Sequence, residues 1–245
     1  MSASLSFDQV AAQYDDLWTS TPHGIAQRQQ VWRAIDGLFQ RGEHVLDIGC
    51  GTGVDAAHLR DLGLDVHATD ASWEMVRAAR HRGGFRVSMM RAEDIGTLED
   101  TYDGAISDFG AINCVADLTA FAEGLAKVVR PGGRVAICTI GRFCLWEFLH
   151  YALRLKFTKA MRRWRGSASS TLAEKVYYPT VAQLAAAFEA FELQSWTGIG
   201  LLAPPSYVGL SEATISRCAS LDRSLAHLPL LRAMADHRLL ILVRK

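Results

Sequence analysis

Between Glu43 and Gly141 short apolar runs alternate with amphipathic segments, and this alternation restricts the fold more than any other feature of the chain. Runs this short read as strands buried on both faces, and the amphipathic segments between them supply the covering helices. Strands are expected at His44 to Ile48, Leu64 to Thr69, Arg86 to Met90, Asp103 to Asp108 and Arg134 to Thr139. The helix after Gly53 should turn Ala57, Leu59 and Leu62 inward. The next should start at Ser72 as N-cap, with Met75, Val76 and Ala79 inside. Pro131-Gly132-Gly133 is expected to end a helix and turn into the fifth strand.

Beyond Gly141 the pattern changes. Arg142 to Ser170 reads as a helical, basic insertion without a strand signal. Core signals resume with a helix from Val181 to Ala190, a strand from Phe191 to Thr197 and a last strand from His237 to Val243. Before that last strand lies a second helical insertion, which contains Pro204-Pro205. The expectation is an α/β fold: a seven-stranded, mostly parallel sheet with helices on both faces, plus helical lid insertions. At 245 residues one core suffices, so the reading is a single domain over 1–245. Its core lies at about 43–141, 181–200 and 236–245, and its lid elements at about 1–35, 142–180 and 201–235.

Composition narrows the function by exclusion. No run approaches the roughly 18 apolar residues of a membrane span, and Met1 to Phe7 lacks the basic and apolar regions of a secretion signal. A soluble, cytoplasmic protein is expected. The five cysteines (Cys50, Cys114, Cys138, Cys144, Cys218) are odd in number and lack zinc spacing, so they read as reduced and structural, with no metal. Lys plus Arg at 26 balance Asp plus Glu at 26, which leaves no overall field to draw in nucleic acid. The oligomeric state is not legible.

The chemistry is concentrated in Val45-Leu46-Asp47-Ile48-Gly49-Cys50-Gly51-Thr52-Gly53, a buried strand running into a glycine turn. Such a turn lets a ligand approach the backbone closely. Glycines at alternate positions differ from the dinucleotide fingerprint, whose third glycine follows two intervening residues. Asp47 stands where a dinucleotide enzyme would hold pyrophosphate. A carboxylate about 4 Å from a phosphate charge costs on the order of 4 kcal/mol at an intermediate effective dielectric. That favours a cationic, phosphate-free nucleoside. Asp70 ends the second strand, 17 residues beyond Gly53, where a carboxylate can accept both ribose hydroxyls. After the third strand, Arg91-Ala92-Glu93-Asp94 offers a backbone amide or an acidic side chain to an adenine edge.

These residues resemble motif I of the class I S-adenosylmethionine-dependent methyltransferases, with Rossmann-like topology. The resemblance runs from Val45 to about Thr139. It implies a cofactor site of Asp47, Gly49, Cys50, Gly51 and Gly53, with Asp70 and Ala71 at the ribose and Ala92, Glu93 or Asp94 at the adenine. The implied cofactor is S-adenosylmethionine and the product S-adenosylhomocysteine. In that family an acid usually precedes the alanine, where this chain has Arg91. The fourth strand leads into Ser107 to Val115 at the carboxyl edge of the sheet beside the glycine turn, where open α/β sheets bind ligands, which adds Asp108 and Phe109 to the site. This stretch resembles the phenylalanine-glycine to asparagine segment of the quinone-biosynthesis C-methyltransferases. Ile112, however, replaces the arginine thought to help activate the ring carbon there. Phe7 to Asp15 is similar to the N-terminal segment of small-molecule methyltransferases, which implies Tyr14 folded over the cofactor and Arg28 paired with its methionine carboxylate. Phe7 and Tyr14 also fit as apolar anchors of an amphipathic helix.

Methyl transfer from a sulfonium needs alignment, worth roughly 7–11 kcal/mol of the barrier, while a base adds about a hundredfold or more. Tyr14, Asp108 and His150 are the catalytic candidates, with His23 as a further histidine in a lid segment. The basic insertion, with Leu145, Phe148, Leu149, Ala152 and Leu155 at helical spacing, can lie on a membrane, grip an anion or cap the site. The cap, apolar face inward, is the preferred reading. Lid aromatics (Trp146, Phe148, Tyr151, Phe157, Trp164, Tyr207) then suggest a closed pocket for a small, partly apolar acceptor, without nucleic acid; they also fit as mere stabilisers of the insertion. A non-catalytic S-adenosylmethionine-binding protein and a nicotinamide-dependent oxidoreductase are the alternatives.

Overall fold

The computed structural model describes residues 7–169, 175–205 and 208–245. Tyr207 lies outside the described residues. The strands, in chain order, are β1 (His44–Ile48), β2 (Asp65–Asp70), β3 (Arg86–Met89), β4 (Tyr102–Ser107), β5 (Val129–Ile140), β6 (Ser167–Ala168), β7 (Val176–Tyr177), β8 (Phe191–Ile199) and β9 (His237–Arg244). Seven of them form one sheet in the order β3-β2-β1-β4-β5-β9-β8, and β6 pairs with β7 as a separate ribbon. The first five are parallel, whereas β9 runs antiparallel between β5 and β8. The helices are α1 (Phe7–Tyr14), α2 (Pro22–Ile35), α3 (Val54–Asp61), α4 (Trp73–Arg82), α5 (Leu118–Val128), α6 (Leu145–Ala152), α7 (Phe157–Ala160), α8 (Val181–Ala187), α9 (Glu212–Leu225) and α10 (Pro229–Arg232).

Two cores flank the sheet, because strand side chains alternate between faces. Leu46 and Ile48 of β1 join Phe121 and Leu125 of α5 and Phe188 on one side. Val45 joins Val31 and Ile35 of α2 and Leu59 of α3 on the other. Both faces are therefore dry, which is why the central strands are continuous apolar runs. Ser72 caps α4 as expected, its hydroxyl accepting from the Met75 amide, and Met75, Val76 and Ala79 face inward.

Four expectations need correction. The buried face of α3 is Asp55, Ala56 and Leu59, whereas Leu62 is exposed, because the helix faces Arg28 of α2 with an acid. Pro131-Gly132-Gly133 does not precede the fifth strand but lies within it: α5 ends at Val128, Val129 already pairs with Tyr102, and the register is interrupted before Arg134 meets Gly104. The basic insertion contains a strand, β6, held by β7 rather than by the main sheet. The same insertion turns its apolar residues outward: Leu153 and Leu155 are 82% and 78% exposed, while Glu147 is buried at 1%. The reason is an ion-pair network, since Glu147 takes Arg162 and Arg163 and pulls its own face of α6 inside.

Candidate active site

The sheet order reverses between β1 and β4, and the crevice beyond the carboxyl ends of these two strands is where open α/β sheets bind ligands. A cavity of about 420 Å³ lies there. Its base is the glycine turn. Gly49, Gly51 and Gly53 all take positive φ (72°, 54° and 80°), which only glycine adopts freely. Their reasons differ. A Cβ on Gly49 would sit 2.2 Å from the Ala111 Cβ and one on Gly53 2.9 Å from the Ala79 Cβ, so both are packing glycines. A Cβ on Gly51 would meet no protein atom within 4 Å, and Gly51 lines the cavity. Its bare backbone is a cradle for a ligand.

Asp70 closes one side. Its Oδ2 accepts from the Gly51 amide at 2.9 Å and its Oδ1 from the Ser72 amide at 2.8 Å. Burial raises its carboxyl above the usual range while these amides pull it back. Each oxygen keeps a lone pair for a hydroxyl. Ala71, Ala92 and Glu93 line the same cavity with Met75 and Met90, while Asp94 is exposed and lies off it.

The opposite side is charged. Period two along the strands puts Asp47 of β1 and Asp108, just past β4, on the face that also carries Val45 and Ile106 and meets α2 and α3. There Arg28 of α2 donates to Asp55 of α3, and Trp32 Nε1 donates to the other Asp55 oxygen at 2.7 Å. Burial works to lower the Arg28 pKa, but Asp55 outweighs it and leaves the guanidinium firmly protonated. The guanidinium lies over the Trp18 and Phe109 rings, 4.9 and 5.0 Å from their centroids. Burial, with Asp55 nearby, pushes both Asp47 and Asp108 well above the ordinary carboxylate range. Neither oxygen of Asp108 has a hydrogen-bond partner among the described residues, nor has Asp47 Oδ2. Asp108 lines the cavity; Asp47, expected at the mouth, is 1% exposed and lies beneath it, because the strand face it shares with Val45 points into the sheet–helix interior.

Tyr14 lines the cavity from the end of α1, its phenol pKa raised by burial. Past it, Asp15 is clasped across the glycine turn: Thr52 Oγ1 donates to Asp15 Oδ1 at 2.6 Å, and Arg82 reaches both Asp15 and the Thr52 carbonyl. Ser72 Oγ and the Glu74 amide donate to Asp8, which anchors α1 on α4. The rim beyond Phe109 is apolar, with Cys114, Val115, Ile140 and Val176. Asn113 sets that rim, donating to the Ile140 and Tyr177 carbonyls and accepting from the Ile140 amide.

His150 sits in α6 and His23 in α2, and neither lines the cavity; nor does Gly53, which faces Ala79. Among the described residues the lid aromatics do not line it either: Phe148 and Trp164 gather with Phe143, and Trp146 Nε1 donates to the Leu201 carbonyl. Sequence reasoning missed Asp55, Trp18, Thr52 and Val176. Asp55, an acid two residues past the glycine turn, was the one with a visible signal. Among the described residues no group of three His, Cys, Asp or Glu side chains is arranged for a metal ion, and no helix is long and apolar enough to cross a membrane.

Fold and site together define the class I methyltransferase architecture, whose members draw a methyl group from S-adenosylmethionine. Residues 25–197 match the family described as Methyltransferase domain, and the chain belongs to that family. It is 34% identical over 142 residues to the demethylmenaquinone methyltransferase of Clavibacter sepedonicus, covering 55% of this chain and 56% of that one. It is also 34% identical over 175 residues to the malonyl-[acyl-carrier protein] O-methyltransferase of Pseudescherichia vulneris, covering 70% and 65%. The chain thus spans little more than half the length of the curated menaquinone-type relatives it matches. A solved S-adenosylmethionine dependent methyltransferase from Mesorhizobium loti shares the fold at a TM-score of 0.61 and 18% identity, over 91% of this chain and 100% of that one.

Proposed function

We propose that this protein transfers a methyl group from S-adenosylmethionine to a small, partly apolar metabolite, by in-line displacement that depends mainly on alignment. The observation that carries the reading is the imbalance of buried charge beside the glycine turn. Among the described residues Asp47, Asp55 and Asp108 face one cation, Arg28, and both Asp108 oxygens lack a hydrogen-bond partner. A buried unpaired carboxylate is costly. A nucleoside carrying cationic groups relieves it, whereas a dinucleotide pyrophosphate aggravates it.

In this reading Asp70 accepts the ribose hydroxyls, and Ala92 with Glu93 meets the adenine. Asp108 receives the ammonium, Arg28 the carboxylate, and Tyr14 covers the cofactor. Bound S-adenosylmethionine supplies a methyl group already activated by its sulfonium. The residues around it hold the acceptor in line and exclude water, with Phe109, Ile140 and Val176 providing an apolar wall. That wall favours an aromatic or aliphatic metabolite over a polynucleotide. Asp108 thereby serves binding rather than proton abstraction, and His150 has no part.

Calorimetric titration with S-adenosylhomocysteine, S-adenosylmethionine and NAD tests the site, and incubation with labelled cofactor and a metabolite extract tests the transfer. Binding of both sulfur nucleosides but not NAD, with label in a low-mass product, is expected. Uptake of NAD alone, or label only in macromolecules, would refute the proposal.

A further inference from the structure

The excursion between Gly141 and Lys175 separates two chemistries. Inside, Glu147, the only acid from Arg142 to Arg165, is consumed by Arg162 and Arg163. Outside, Leu149, Leu153, Leu155, Phe157 and Trp164 stand 41%, 82%, 78%, 58% and 47% exposed. Interleaved with them are Arg154, Lys156, Lys159 and Arg165, none of which has an ion-pair partner among the described residues. Lys159 instead lies 6.0 Å from the Tyr151 ring centroid, which ties α7 to α6. Leu155, at the turn between them, has φ of 56°, a left-handed conformation that disfavours any residue with a Cβ. An apolar side chain is thus kept where both its own backbone and water oppose it. The left-handed backbone itself serves α6, which it ends by letting the Leu155 and Lys156 amides donate to the Ala152 and Tyr151 carbonyls, but glycine fills such a cap without that cost, and a cluster of exposed apolar side chains marks a contact surface.

We propose that this tip docks the protein onto an anionic lipid bilayer, with Leu153, Leu155 and Phe157 entering the acyl boundary and Arg154, Lys156 and Lys159 meeting the headgroups. Charge decides among occupants. A second copy would set an unbalanced cationic rim against another, which opposes association. An anionic bilayer offers negative charge outside and apolar material beneath, in the order in which this tip presents their complements. The excursion leaves the main sheet after Ile140 and rejoins the site at Val176, both of which line the cavity. Docking thus acts through the segment that connects these two rim residues. This goes beyond the proposed methyl transfer and stands whether or not that acceptor is apolar, since its test reads lipid binding rather than turnover.

The whole chain is sedimented at low salt with vesicles of equal parts phosphatidylcholine and phosphatidylglycerol, and with vesicles of phosphatidylcholine alone. Pelleting with the anionic vesicles, reversed by salt, is expected. Leu153→Glu with Leu155→Glu should weaken partition on the order of tenfold or more per leucine, and Lys156→Glu with Lys159→Glu roughly fivefold for each charge lost. S-adenosylhomocysteine binding should be unchanged in both, which separates this surface from the cofactor site and from misfolding. Leu155→Gly should raise the melting temperature in solution while weakening vesicle partition, a combination that a merely structural role does not produce. Wild-type protein left in the supernatant with anionic vesicles would overturn the proposal. So would a leucine variant that pellets like wild type, or a solution dimer lost in that variant without vesicle binding.

Discussion

Arg163 Nη2 donates to Asp236 Oδ1 at 2.8 Å, and this bond fastens the 141–175 excursion to the foot of β9. The same guanidinium donates to Glu147 and to the Gly141 and Asp236 carbonyls, with Arg163 itself buried. Burial alone would raise the Asp236 carboxyl. His237 and Arg163 outweigh it and hold Asp236 below the ordinary range. Burial keeps His237 itself neutral, so at neutral pH Arg163 carries the effect.

Arg163→Met should therefore destabilise the protein by about 3–5 kcal/mol at pH 7, because it leaves the buried Asp236 without its arginine and Glu147 with Arg162 alone. A depressed carboxylate contributes stability above its unfolded value, near 3.9, and loses it as pH falls through the folded value. The gap between wild type and variant should accordingly narrow below about pH 4. Urea denaturation across that range measures it, and a gap independent of pH would contradict the assignment.

Asp108→Asn should lower affinity for S-adenosylhomocysteine at least tenfold, about 1.4 kcal/mol, while the ligand-free protein melts no lower than wild type at pH 7. The sign follows from its raised carboxyl. Such a group favours the folded state only below the unfolded value, so its penalty grows as pH rises from about 4 and vanishes below it. Thermal melts with and without ligand check both halves.

Gly51→Ala and Gly49→Ala should fail differently. The first meets no protein atom, so it costs only the left-handed backbone, about 1–2 kcal/mol, yet it removes cofactor binding. The second drives a Cβ into Ala111 and should disturb the fold itself. Far-ultraviolet circular dichroism beside calorimetry distinguishes them.

Asn113→Ala should raise the acceptor KM more than the cofactor Kd. Its side chain joins Ile140 to Tyr177 and so helps place Val176 on the rim. A loss of about 1–3 kcal/mol in stability accompanies the orphaned carbonyls and amide. Equal loss on both ligands would argue against a role confined to the rim.

The 141–175 excursion shows where sequence reasoning stops. Its basic character and helical spacing were legible, but Leu153 and Leu155 face water instead of the site. Periodicity identifies an apolar stripe and says nothing about which side is covered. Here one buried carboxylate, Glu147, chose the covered side by taking two arginines, one of which also reaches a residue 73 positions away. Asp47 teaches the same lesson at the cofactor. Its proximity to the glycine turn was evident, yet strand alternation sends it under the cavity, and Asp108, just past the neighbouring strand, is the carboxylate that reaches the opening.

The order of strands and helices, the glycine turn and the acid at the end of β2 were determined by the chain alone. Each depends on neighbours close in sequence: a buried run, a left-handed turn, a side chain at a strand terminus. What only the tertiary structure decided are the pairings between distant segments, among them Arg28 with Asp55, Asp15 with Thr52 and Arg163 with Asp236. Charges buried together must find partners in space, and local pattern carries no record of which distant residue supplies them.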